Sequence, residues 1–119
     1  MKKENSTNSI NKNYLNENCG MFFTLSLIGG RWKISILAVL LDNGSMRYGE
    51  LKRKIPGITE RMFIAQLKEL ESDGLITKTV YPIKPPHVEY QLSEWGLSLR
   101  NILDQMNEWG EKNKNHPNL

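Results

Sequence analysis

At 119 residues the sequence has room for one compact domain with short arms, and not for two. Hydrophobic residues make up 39% of it and charged residues 24%, an ordinary balance that needs neither disulfides nor metal to hold a core. The formal charge of +3 permits an anionic partner without requiring one, and the single cysteine excludes an intrachain disulfide and a cysteine-based zinc cluster.

Residues 1–18 are rich in Asn, Ser and Lys and poor in apolar side chains, which predicts a disordered N-terminal arm. No signal-peptide core follows the polar start, and the longest apolar stretch, Ile34 to Leu41, is too short to cross a bilayer. The expected location is therefore the cytoplasm, with no membrane partner. Met21, Phe22, Leu25 and Ile28 recur at helical spacing and predict a first helix from Gly20 to Ile28, stopped by Gly29-Gly30. A second helix runs from Arg31 to about Leu41 and is expected to bury Trp32, Ile36, Leu37 and Leu40. Asp42-Asn43-Gly44 is a turn, and Ser45-Met46-Arg47 suits a short strand. Tyr48 to Ile55 is predicted helical, with Pro56-Gly57 ending it. Thr59 then caps a helix from Glu60 to about Ser72, with Gly74 as its exit. Leu75–Tyr81 and His87–Leu92 read as a hairpin whose tip, Pro82 to Pro86, is stiffened by proline. Ser93 caps a last helix to about Glu111, and residues 112–119 read as a flexible tail. The domain proper therefore spans 19–111.

The expected fold class is mainly α with a small β-hairpin wing: two short helices around a Pro-Gly turn, directly before a hairpin. That order suits DNA, because the second helix of such a pair enters the major groove while the hairpin reaches the flanking backbone. Phe63, Leu67 and Leu70 form the inward stripe of the Glu60 helix. Thr59, Glu60, Arg61, Met62, Ala65 and Lys68 remain as candidate base-reading residues. An ordinary amphipathic helix with a solvated face shares this pattern. Arg47, Tyr48 and Lys52 on the preceding helix are candidates for the DNA backbone, and Lys78, Lys84 and His87 for the wing. No HExxH, GxGxxG or phosphate-loop pattern occurs, and the two histidines, His87 and His116, lie far apart, so no metal or cofactor is expected.

These residues lead to a resemblance. Cys19, Leu27–Trp32, Arg47–Leu51, Pro56–Thr59, Leu67–Ile76, Val80–Pro82, Pro85–Tyr90 and Trp109-Gly110 together resemble the HxlR-type family of winged helix-turn-helix regulators, itself similar to MarR-type proteins. The resemblance runs in order from Cys19 to Gly110. It implies a homodimer, built largely from the first and last helices, that binds operator DNA. Two positions depart from the family pattern. Cys19 is followed by Gly20 where many relatives have proline, and Ile64-Ala65 stand where many carry polar residues.

The resemblance also marks Cys19 as a candidate sensor of oxidants or electrophiles, and a thiol at a helix N-terminus is a physically sound place for one. Trp95, Leu99, Ile102, Met106 and Trp109 alternate four and three apart, which predicts a heptad-like dimer seam shared with Met21 and Phe22. The same stripe is also a candidate pocket for a small-molecule inducer. Twofold pairing predicts an inverted-repeat operator on double-stranded DNA, and the small size favours repression. Two other classes share parts of this pattern. One is a winged-helix protein-interaction module without DNA binding. The other is a thiol enzyme around Cys19, disfavoured by the lack of a neighbouring histidine or paired carboxylates in sequence. The protein is not expected to be an enzyme.

Overall fold

A computed structural model describes residues 19–118. The predicted arm at 1–18 and the final Leu119 lie outside the described residues. Helix α1 spans Gly20–Ile28 and α2 Arg31–Asn43, meeting at 82° across Gly29-Gly30. A two-residue strand β1, Met46–Arg47, leads into α3, Tyr48–Arg53. Helix α4 is Glu60–Ser72, and the hairpin is β2, Ile76–Tyr81, and β3, His87–Leu92. Two further helices close the domain: α5, Glu94–Leu97, and α6, Arg100–Asn113.

The sheet is antiparallel in the order β1-β3-β2, with Met46 paired to Tyr90 and Lys78 paired to the same Tyr90 from the other side. Its inner face carries Met46, Ile76, Tyr90 and Leu92, all buried. Against it pack Ile36, Leu37 and Leu40 of α2, Leu51 of α3, and Phe63, Leu67 and Leu70 of α4. The predicted stripes therefore form one continuous core, driven together by loss of apolar surface to water.

The α4 helix has both its ends fixed locally. Thr59 accepts a hydrogen bond from the Met62 amide at 3.1 Å. At the other end Gly74, at φ +81°, lets the Leu75 amide reach the Leu70 carbonyl at 3.0 Å, and its own amide reaches Glu71 at 3.0 Å. This pair of bonds is a Schellman motif, completed by burial of both Leu70 and Leu75. The hairpin consequently leaves the helix in one fixed direction.

Several boundaries differ from expectation. Helix α3 stops at Arg53 because Lys54 and Ile55 take shorter-range bonds to Leu51 and Lys52, although Ile55 is still buried. Trp32 is only half-buried, its ring covered by the Arg31 guanidinium at 4.4 Å. The single last helix predicted from Ser93 is two, because Ser98 and Leu99 bond back to Trp95 and Gly96 with three-residue spacing. This break divides the predicted stripe. Leu99 packs on the core with Leu103, which the sequence reading did not single out, while Ile102, Met106 and Trp109 remain exposed. Arg100 joins α6 to the end of α2 by donating to the Leu41 carbonyl at 3.3 Å. The helix also runs past Glu111 to Asn113, so Lys112 is helical and not part of a tail.

Candidate nucleic-acid interface

The α3–α4 pair is clamped from inside. Ile55 and Ile58 are buried on either side of the Pro56-Gly57 turn, and the Tyr48 ring tilts against Phe63 at 5.0 Å between centroids. With Phe63, Leu67 and Leu70 inward, the residues singled out on α4 all face solvent: Thr59, Glu60, Arg61, Met62, Ala65 and Lys68. Met62 also accepts a weak hydrogen bond through its sulfur from Gln66 at 3.3 Å, so its side chain is partly tethered. Ile64 is exposed as well, which gives this helix an unusually apolar outer surface.

Tyr48 commits its hydroxyl proton within the protein. It donates to Glu60 Oε1 at 2.9 Å. Burial and the Glu60 carboxylate push its phenol up to about 12, so it stays the donor of that bond. Arg47 is exposed beside it, and its backbone amide is satisfied by Glu50 at 3.0 Å. Lys52 is half-buried.

On the hairpin, Lys78 and Lys84 are exposed, with Lys84 at the proline-rich tip. Val80 and Ile83 are exposed beside them. His87, the third wing candidate, is half-buried and engaged within the hairpin. Its ring stacks on Tyr81 at 4.7 Å, and its Nε2 lies 2.9 Å from Glu89 Oε2. Glu89 also accepts from Ser45 Oγ at 2.8 Å. The Ser45 bond first, then His87, hold the Glu89 carboxyl below its usual range. This three-residue network is not marked by any sequence motif. Its only signal was the alternation of β3, which puts His87 and Glu89 on the same face.

A second surface lies away from this one. Met21, Leu25, Ile102 and Met106 line a shared apolar groove between α1 and α6; Trp109, one helical turn beyond Met106, is 70% exposed and lines a separate hollow with Gly110 and Asn113. Met21 is exposed but Phe22 is half-buried, and Trp95 is exposed on α5. Cys19 occupies the N-cap position of α1, half-buried, with its carbonyl accepting from Phe23 at 3.0 Å. Among the described residues no cluster of His, Cys, Asp or Glu is suited to a metal ion, and no single helix is long and apolar enough to cross a membrane.

A clamped helix pair with an exposed second helix, followed at once by an antiparallel hairpin, defines a winged helix-turn-helix protein. The model of the HxlR-like helix-turn-helix family matches residues 27–118, and the chain belongs to that family of transcriptional regulators. It is 48% identical over 98 residues to the HTH-type transcriptional regulator YybR of Bacillus subtilis strain 168, covering 82% of this chain and 78% of that protein. The solved structure of the HTH-type transcriptional regulator YtcD superposes with a TM-score of 0.75 at 48% identity, covering 82% of this chain and 98% of that one. The redox regulator HypR in its oxidized form superposes with a TM-score of 0.74 at 47% identity, covering 80% and 97%.

Proposed function

We propose that the protein is a homodimeric repressor that binds an inverted-repeat operator in double-stranded DNA through α4 and the hairpin wing. The observation that carries this reading is the exposed row Thr59, Glu60, Arg61, Met62 and Ala65, held rigidly next to a hairpin that projects Lys78 and Lys84. Arg61 suits bidentate donation to guanine, and Met62 and Ala65 suit contact with thymine methyls. Arg47, Lys52, Lys68, Lys78 and Lys84 supply cations for phosphates. Tyr48 and His87 act indirectly: their polar atoms are committed to Glu60 and Glu89, so they position the helix and the wing.

The groove of Met21, Leu25, Ile102 and Met106, with exposed Trp109 one turn further along α6, supports a dimer seam, because a lone monomer would leave these apolar side chains in water. Trp95 and Leu99 line a neighbouring hollow with Phe23, Thr24 and Leu27, and neither they nor Phe22 line this groove. Cys19 at the head of α1, one element of that seam, supports a thiol signal that reaches DNA through the dimer. The similarity to HypR, a redox regulator, favours the same reading. The expected place of action is the cytoplasm, where operator DNA is.

Binding of the purified protein to DNA upstream of its own gene, followed by footprinting and by affinity against salt, tests the proposal. The expected result is a protected inverted repeat and an affinity that falls steeply with salt. Absence of saturable, salt-sensitive binding to any duplex would favour a protein-interaction module instead.

A further inference from the structure

A cavity of about 320 Å³ lies between α4 and the inner face of the wing, within the size range of small-molecule sites. Its apolar walls are Ile64 and Leu67 from α4 and Val88 from β3. Tyr90 lines it from the centre of the sheet and is only 7% exposed, yet its hydroxyl has no hydrogen-bond partner among the described residues. Buried phenols are normally paired, so an unpaired one facing a cavity marks a place for an acceptor. The other tyrosine there, Tyr48, is already committed to Glu60.

The charges around the cavity point the same way. Lys78 sits opposite Tyr90 in the strand register and so shares its face of the sheet. Lys68 and Glu71 come from the same stripe of α4 as Ile64 and Leu67. Neither lysine is ion-paired among the described residues, where the ion pairs join other side chains. Two ammonium groups against one carboxylate leave one net positive charge, next to a free phenol donor and apolar walls. We propose that this cavity binds a small organic monocarboxylate with an apolar body. The ligand carboxylate accepts from Tyr90, Lys68 and Lys78, its body packs between Ile64, Leu67 and Val88, and Glu71 disfavours a second negative charge.

Such a ligand neutralises Lys68 and Lys78, two cations assigned above to phosphates, and so weakens DNA binding. That regulatory half rests on the DNA-binding reading; the site itself does not. The test uses the full chain with phenylacetate, hexanoate and the neutral phenylacetamide as probes, followed by NMR and calorimetry. Phenylacetate is expected to bind saturably and at least about tenfold more tightly than phenylacetamide, as loss of charge-assisted hydrogen bonds dictates. Tyr90→Phe, which keeps the ring packing, and Lys78→Gln, at an exposed position, are each expected to weaken it about fivefold to tenfold. Thermal melting of both variants confirms that they fold.

Failure of both carboxylates to saturate below about 10 mM, equal affinity for the amide, or unchanged affinity in Tyr90→Phe overturns the site. Duplex affinity measured with phenylacetate against matched sodium chloride separates the two halves. Carboxylate binding in a protein that binds no DNA leaves the site standing and removes the DNA reading. Carboxylate binding with unchanged duplex affinity removes only the regulatory half.

Discussion

Tyr48 and Glu60 are joined by a 2.9 Å hydrogen bond that ties the start of α3 to the first turn of α4. The phenol is the donor, and the bond is lost when it ionises. With the Tyr48 pKa raised from 10.0 to about 12 in the folded protein, its contribution is fully present below pH 10 and disappears as pH rises toward 12. Tyr48→Phe is expected to flatten the alkaline fall in stability over that window. At neutral pH it should cost about 1 kcal/mol or less, because Glu60 remains open to water. Denaturant melts at a series of pH values check both statements, and an unaltered alkaline limb in the variant would contradict them.

Gly96 is buried where α5 crosses the start of the wing, and a Cβ there would collide with the Leu75 carbonyl oxygen. The crossing is held by Ser93, whose amide donates to that same Leu75 carbonyl at 3.0 Å and whose hydroxyl donates to the Gly74 carbonyl at 2.6 Å. Backbone cannot yield as a side chain can. Gly96→Ala is therefore expected to destabilise the domain by about 2 kcal/mol or more. Gly74→Ala has ordinary room for its methyl and pays only for φ +81°, about 1 kcal/mol. Thermal denaturation of the two variants should rank them in that order.

The contrast between these glycines separates what local sequence pattern carries from what tertiary docking decides. Gly74 follows a complete amphipathic helix, so its role as an exit was visible from local pattern. Gly96 looks like an ordinary helix-interior glycine, because the carbonyl it must clear belongs to Leu75, twenty-one positions earlier. The break before Arg100 was hidden for the same reason, and with it the inward turn of Leu99 and Leu103. On the candidate interface, charge and spacing singled out Arg61, Lys78 and Lys84 as candidates, and all three are exposed. Charge and spacing did not show that Tyr48 and His87 are occupied by nearby carboxylates, or that Tyr90 faces a cavity, since those depend on strand register and helix docking.

The α1–α6 groove makes a prediction about assembly. Met106 is exposed and away from the core, so Met106→Lys should leave the monomer fold intact while placing a charge in the apolar seam. Sedimentation is expected to show a dimer for the parent protein and a shift toward monomer for the variant, with little change in helical content. A parent protein that is monomeric at micromolar concentration would remove the seam and, with it, the twofold operator.

The two kinds of DNA contact should separate by salt. Lys84 stands alone at the wing tip with no ion pair among the described residues, and offers a point charge to phosphate. Lys84→Ala is expected to weaken all duplexes alike and to lower the salt slope by about one. Arg61 lies on the first turn of α4, where a planar guanidinium can meet a base edge. Arg61→Ala is expected to cost about 1–3 kcal/mol on the preferred site and much less on unrelated DNA, so that the ratio between the two collapses. Titrations of both variants on both duplexes at several salt concentrations give the comparison. If Arg61→Ala lost affinity equally on every sequence, α4 would be lying along the backbone, and the reader of the bases would have to be sought on the wing.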